Sequence, residues 1–115
     1  MAAECLFCRI AEGTIPATTV YSNDEIVAFR DVNPQAPTHI LVIPRKHIPS
    51  ILELDPADEA LAGRLLRTAA AIARAEKIAD RGFRLVLNCN REGGQTVFHL
   101  HVHLVGGRVM SWPPG

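Results

Sequence analysis

The sequence predicts an α+β fold: a five-stranded antiparallel sheet, one long helix packed on it and one short helix ahead of it. Three observations carry this. Five short segments rich in β-branched and aromatic residues are separated by turn residues. One amphipathic stretch with helical spacing falls between the third and the fourth. The connections between neighbouring strands are short and polar, which favours antiparallel pairing.

Each element has its own local cause. Leu6-Phe7-Cys8-Arg9-Ile10-Ala11-Glu12 carries apolar residues at 6, 7 and 10 and meets Gly13, the pattern of a helix of two turns or less. Residues 18–22 and 25–30 flank the turn pair Asn23-Asp24 and read as a hairpin. Asn33-Pro34-Gln35-Ala36-Pro37 cannot continue a strand, because proline lacks a ladder donor; the third strand therefore starts near Thr38 and runs to Pro44. Its apolar run marks it as central. Asp55-Pro56 supplies a helix cap and a first residue with a helix-ready φ, and Asp58 and Glu59 suit the positive end of the helix dipole. Leu61, Leu65, Ala69, Ile72 and Ala75 then recur on one face, predicting a helix over 56–79 with Gly82 at its exit. Residues 83–88 and 98–105 read as the last two strands, joined by a polar, glycine-rich loop.

Composition narrows the functions open to such a chain. At 115 residues, 48% hydrophobic and 21% charged, it can form one domain with an ordinary core. Twelve basic residues balance twelve acidic ones, so no overall field gathers duplex nucleic acid or anionic lipid. No apolar run approaches the ~20 residues needed to cross a membrane, and Met1-Ala2-Ala3-Glu4-Cys5 lacks the character of a signal peptide, which together predict a cytoplasmic protein. Cys5, Cys8 and Cys89 are read as reduced thiols.

The chemistry concentrates in His99-Leu100-His101-Val102-His103-Leu104. A strand's period of two puts the three imidazoles on one face, about 6.6 Å apart along the chain, and sends Phe98, Leu100, Val102 and Leu104 to the other. Two readings fit the row. In one, His99 and His101 ligate zinc, completed by Cys5 and Cys8 or by a carboxylate. In the other, a neutral imidazole attacks an electrophilic phosphorus or carbonyl while its neighbours hold the tautomer and the substrate. Asn88, Gly93, Gly94, Gln95 and Thr96 precede the row, and a Gly-Gly loop with free backbone donors beside amide and hydroxyl groups can cradle a phosphate. Asp31 and His39 bracket the proline-punctuated loop and can face the same site.

Taken together, Gly93-Gly94-Gln95-Thr96-Val97 ahead of the histidine row, the run from Pro37 to His47, and Trp112-Pro113-Pro114-Gly115 at the end resemble the histidine triad (HIT) family. The likeness is to its Hint branch, the purine nucleoside phosphoramidases, and extends from Phe7 to Gly115. It implies a homodimer whose two sheets join into one ten-stranded sheet, a purine nucleoside monophosphate site in each subunit, and catalysis without a cofactor. By this resemblance His101 is the nucleophile. His103, Asn88, Gln95, Thr96 and the backbone at Val97 hold the phosphate, while His39 and His99 belong to the surrounding imidazole network. Asp31 accepts the ribose hydroxyls, and Leu6, Phe7, Ile10, Phe29, Val32 and Leu41 wall the purine. Trp112 reaches across the dimer to the partner's site.

Two departures within the family matter. Thr96 stands where better-known Hint members carry serine; it keeps the hydroxyl, so a modest change in rate or leaving-group preference is expected. Cys5-Leu6-Phe7-Cys8 resembles the start of many bacterial HIT proteins, which implies structural zinc held by Cys5, Cys8, His47 and His99. Other activities stay open beside the phosphoramidase: a dinucleoside polyphosphate hydrolase, disfavoured by the Trp112-Pro113-Pro114-Gly115 ending, and a nucleotide-binding scaffold. A nucleotidyl transferase of the galactose-1-phosphate type is disfavoured by the short chain and by His103, where those enzymes carry glutamine.

Overall fold

A computed structural model describes residues 4–115, so the reading of Met1-Ala2-Ala3 lies outside the described residues. Helix α1, Leu6–Glu12, is capped at its start by Cys5, whose sulfur accepts the Cys8 N–H at 3.3 Å, and it ends on Gly13 at φ 83°. That left-handed turn is one glycine adopts without penalty. Strands β1 (Thr19–Ser22) and β2 (Ile26–Arg30) form the expected hairpin. Asn23 closes it by accepting the Glu25 and Ile26 N–H groups at 2.8 Å each.

Strand β3, Thr38–Pro44, is buried along its whole length. It lies between β2 and β5 (Val102–Gly106), with β4 (Phe83–Val86) beyond β5, in the order β1-β2-β3-β5-β4. All four pairings are antiparallel. The α+β prediction and the central place of the third strand are therefore correct.

Helix α2, Glu59–Ala75, is shorter than the predicted 56–79 at both ends. At its start the capping signals form as read: Asp55 accepts the Ala57 N–H and Asp58 accepts the Asp55 N–H. They close a separate 3₁₀ turn, Pro56–Asp58, before the α-helix begins. At its end Lys77 takes φ 63°, and Ile78 folds back into the core, where a side chain on Gly106 would collide with it at 2.5 Å. Burying Ile78 against the sheet thus ends the helix before the apolar period runs out.

The sheet has two covered faces. Ile26, Ala28, Ile40, Val42, Leu100, Val102 and Leu104 pack against Leu61, Leu65, Ala69, Ile72 and Ala73 of α2. Ala75, expected in that stripe, is exposed, and Ala73 takes its place. On the other face Phe7 of α1 joins Val27, Phe29, Leu41 and Ile43.

Two further expectations change at the fifth strand. The ladder begins at Val102 and not at Phe98, because residues 97–99 bend and the Leu100 N–H donates to the Ile48 carbonyl at 2.6 Å. Phe98, predicted to point into the core, is exposed by that bend. Strand β4 likewise stops at Val86, leaving Asn88 in the connection that follows.

The helix register is testable with adjacent leucines. Leu65→Ala removes a side chain 2% exposed and is expected to lower unfolding stability by about 2–5 kcal/mol, whereas Leu66→Ala, 52% exposed, should change it by less than about 1 kcal/mol. Urea unfolding of both variants checks this, and equal losses would contradict the assignment of the α2 face.

Candidate active site

The pairing of β3 with β5 and of β5 with β4 sets the rows of this site. His39, Val105 and Arg84 lie directly across from one another, and so do Leu41, His103 and Val86, so all six share the α1-side face of the sheet. His101 continues that face beyond the start of β5. Its ring lies 4.9 Å from that of His103 and 5.1 Å from that of Phe7, edge to face. The three histidines share a face as predicted, but they divide between two clusters.

His99 belongs to the first. Its Nε2 lies 2.7 Å from the Pro44 carbonyl, and its Nδ1 lies 3.3 Å from Cys5 Sγ, 3.4 Å from Cys8 Sγ and 3.3 Å from His47 Nδ1. Cys8 Sγ is 3.3 Å from His47 Nδ1. A carbonyl can only accept, so the proton of His99 sits on Nε2 and its lone pair faces the thiols. Four ligands around a tetrahedral zinc ion would stand about 3.3–3.8 Å apart, given the usual Zn–N and Zn–S lengths. The observed separations match that spacing, so the four residues can hold a metal ion. Burial pushes the Cys8 thiol up to about 11, with Cys5 beside it adding to the effect. A cation is what such a crowded, buried pair of sulfurs would favour.

The second cluster is His101, His103, His39 and Asp31. His101 Nδ1 lies 2.7 Å from the His99 carbonyl, which places its proton on Nδ1 and leaves Nε2 as a bare lone pair. The Gln35 N–H donates to His39 Nδ1 at 3.0 Å, so the proton of His39 is on Nε2. That nitrogen donates to His103 Nδ1 at 2.9 Å and lies 3.4 Å from Asp31 Oδ2. His103 accepts at Nδ1 and therefore carries its own proton on Nε2. Backbone groups thus fix every tautomer in the cluster.

Burial favours the neutral form of three of the histidines, His101, His103 and His99. It lowers the pKa of His101, against an opposing pull from the His99 carbonyl and Asp31. It brings His103 down to about 4, helped by His101 and His39. His99 is lowered by burial as well, with its bond to Pro44 opposing.

Several expected residues take other places. His99 was expected both in the imidazole network and with Cys5, Cys8 and His47; the structure gathers it with those three, and only its carbonyl reaches His101. His101, one of the two histidines in the zinc reading, is absent from the Cys/His cluster. Gln95, expected on the phosphate, is buried with its amide spent on the loop itself: its oxygen accepts the Asn90 N–H, and its nitrogen donates to the Pro49 and Val97 carbonyls. Asn88 lines a cavity of about 260 Å³ with His39 and His103. Thr96 and Val97 instead line another of about 390 Å³, with Cys5, Leu6 and His47.

Phe7, Phe29 and Leu41 are buried beneath the site, and Ile10 is partly buried against them. Leu6 and Val32 stand exposed at the rim. Trp112 is 81% exposed, 6.0 Å from the Arg84 guanidinium. Sequence reasoning missed Gln35, whose contribution is a backbone N–H, and the Pro44 carbonyl. No side-chain signal could have revealed either.

The comparisons with known proteins bear on this geometry. The family profile of the HIT domain matches residues 12–110. The chain belongs to the HIT family. A HIT-like protein of Synechocystis sp. is 51% identical over 115 residues, the whole of both chains. The purine nucleoside phosphoramidase of Escherichia coli K12 is 49% identical over 111 residues, 96% of this chain and 93% of that one. A crystal structure of a HIT family hydrolase from Legionella pneumophila superposes with a TM-score of 0.96 at 53% identity, covering 97% of this chain and all of the other. The resemblance of the histidine row thus extends to the whole HIT fold. Among the described residues no helix is long and apolar enough to cross a membrane.

The lowered histidine pKa values have a definite pH signature. With folded values below the unfolded ~6.5, the neutral rings contribute stability that is fully present above pH ~6.5 and is lost as the pH falls towards 4. In an NMR titration His103 should protonate near pH 4 and His101 below 6.5. A midpoint of 6.5 or higher for either would contradict the burial argument. The glycine loop has a steric test as well. A methyl group on Gly93 would collide with the Cys89 carbonyl oxygen, so Gly93→Ala should displace the loop, seen as shifted amide resonances at Asn90 and Gln95.

Proposed function

We propose that this HIT protein hydrolyses purine nucleoside 5′-phosphoramidates to the nucleoside monophosphate and an amine. The observation that carries the proposal is the His101 ring: its Nδ1 proton is held by a backbone carbonyl, its pKa is lowered by burial, and its Nε2 lone pair stays uncommitted beside His103. A nucleophile needs that state at neutral pH. The name of the E. coli relative supports the substrate class.

In the proposed reaction His101 Nε2 forms a bond to phosphorus while the P–N bond breaks, and the departing nitrogen takes up a proton from solvent and leaves as the amine; a proton returns to solvent when water completes the second step. Water then attacks phosphorus, the P–Nε2 bond breaks, and His101 returns to its neutral form with the nucleoside monophosphate released. His103 directs its Nε2 N–H as a hydrogen-bond donor to the phosphoryl oxygens next to the nucleophile, held in that tautomer by His39 and Gln35. Asn88 meets the phosphate from the cavity it shares with His103, and Gly94, Thr96 and the Val97 backbone, assigned by the family resemblance, approach it from the glycine loop on the other side. Gln95 acts through the loop, as its engaged amide requires. Asp31 takes the ribose hydroxyls through the acceptor capacity left after binding Asn33 N–H, and the exposed Leu6 and Val32 give the purine its flanks over Phe7, Ile10, Phe29 and Leu41.

Cys5, Cys8, His47 and His99 form a structural zinc site in this proposal. It tethers the start of α1 to Pro44 and to the histidine segment, and it leaves His101 free. Two copies join along β4, which is an edge strand, and Trp112 then lies within reach of the partner's leaving-group side.

Amine release from a fluorogenic adenosine 5′-phosphoramidate tests the chemistry. His101→Ala should retain nucleotide binding and fall to below about one thousandth of the parent rate. A parent that binds nucleotide but releases no amine would overturn the phosphoramidase assignment. For the metal, protein purified without chelator should contain one zinc ion per chain and lose at least about 5 °C in Tm when it is removed. No metal, together with an unchanged Tm in a Cys5→Ser, Cys8→Ser variant, would refute it.

A further inference from the structure

Arg84 and Arg108 both line the 260 Å³ cavity that contains His39, His103 and Asn88. Both also line a larger neighbouring cavity of about 540 Å³, which adds Lys77 and Arg81. No carboxylate borders either cavity, and among the described residues none of these four cations takes part in an ion pair. Asp80, beside Arg81 in sequence, lines a different cavity with Arg74 and Lys77, and Glu76, beside Lys77, pairs with Arg30. In a chain with zero net charge, four cations outside the ion pairs on one continuous surface are a local positive field, and Arg84 and Arg108 form the part of it farthest from Asp80 in sequence.

Their placement relative to the reacting groups is set by the sheet. Arg84 shares a row with His39 through Val105, and it stands on the diagonal from His103, about 8 Å away backbone to backbone by strand spacing and rise. Each guanidinium is steadied by backbone and keeps donors to spare. Arg84 Nη2 donates to the Ser111 carbonyl at 2.9 Å, and Arg108 Nε donates to the Gln35 carbonyl at 2.9 Å, with a further contact from its Nη1 to the Val109 carbonyl at 3.3 Å. Gln35 is the residue whose N–H orients His39, so Arg108 is anchored to the loop that borders the chemistry. An arginine held at one edge with its other N–H groups unused is suited to bind a carboxylate or phosphate group.

We propose that the leaving group of the substrate carries an anion, a carboxylate or a phosphate-type group a few bonds from the reacting nitrogen, and that Arg84 and Arg108 receive it beside His39 and His103. This rests on the phosphoramidase reading for its chemistry. Lys77 and Arg81 extend the same surface outward and accommodate a longer or more highly charged tail. Pairing at the β4 edge lengthens the sheet sideways, so the face that carries Arg84 still looks into the site.

The test compares adenosine 5′-phosphoramidates of β-alanine and of β-alanine amide, which share their length and differ in charge. The parent protein should favour the carboxylate in kcat/KM by at least about tenfold at low salt, as expected for a charge-assisted contact. Raising the salt should shrink that ratio. Arg84→Gln and Arg108→Gln should each reduce it towards one, and Arg84→Lys should keep part of it. The 2-aminoethylphosphonate derivative separates the two anions: a larger ratio than for β-alanine assigns a phosphate-type tail, and a smaller one a carboxylate. A parent ratio near one, or a ratio untouched by both glutamine substitutions, overturns the proposal.

Affinity keeps the subsite separable from the reaction. The Kd ratio of the same two ligands is measured on the His101→Ala protein and on its Arg84→Gln combination. If the parent cleaves neither compound, the phosphoramidase reading fails while the Kd ratio still decides the anion subsite. If cleavage proceeds and the Kd and kcat/KM ratios are both near one, only the subsite fails.

Discussion

The main-chain path through His99 is the constraint on which the rest of this structure depends. Its ring is tied through Nε2 to the Pro44 carbonyl and faces two cysteines and His47 through Nδ1, while its own carbonyl receives the proton of His101. One residue therefore links the end of β3, the start of α1 and the candidate nucleophile. The bend at residues 97–99 and the Leu100 bond to Ile48 place it there, at the cost of four residues of regular ladder. Leu100 still buries its side chain against α2, so the departure from strand geometry retains the core contact.

From this anchor follows a site in which backbone groups do most of the orienting. The His99 carbonyl sets His101, and the Gln35 N–H sets His39, which in turn sets His103. A main-chain donor or acceptor cannot change its role with pH, so the tautomers persist as long as the loops do. Burial adds the second condition by disfavouring charge on His101 and His103. Packing between Phe7 and the His101 ring ties this electrostatic state to the position of α1. Core packing and tautomer are one arrangement here.

The charge distribution completes the picture. Overall neutrality conceals a separation between the neutral His101 and His103 and an arginine-rich surface that begins on the neighbouring strand. The tail after β5 covers part of that surface and holds Arg84 through the Ser111 carbonyl. On the proposed anion subsite, such a surface selects ligands by charge beside the reacting atoms, where binding energy is used without disturbing the neutral row.

Local patterns were sufficient for most of the fold. The hairpin at Asn23, the cap at Asp55, the glycine exit after Glu12 and the alternation from Leu100 to Leu104 each express a short-range rule, and each is present. The same alternation identified the face on which His101 and His103 lie. What it could not supply was the division of the row, because that depends on partners far away in the chain: Cys5, Cys8 and His47 for His99, and Gln35 through His39 for His103. The end of α2 was equally hidden, since it depends on Ile78 meeting a glycine at the end of β5. Gln95 looked like a phosphate ligand until the loop claimed its amide. Periodicity and turn chemistry act over a few residues and are written in the sequence. Tautomers, hydrogen-bond partners and unpaired charges are set where distant segments meet, and only the folded chain brings those segments together.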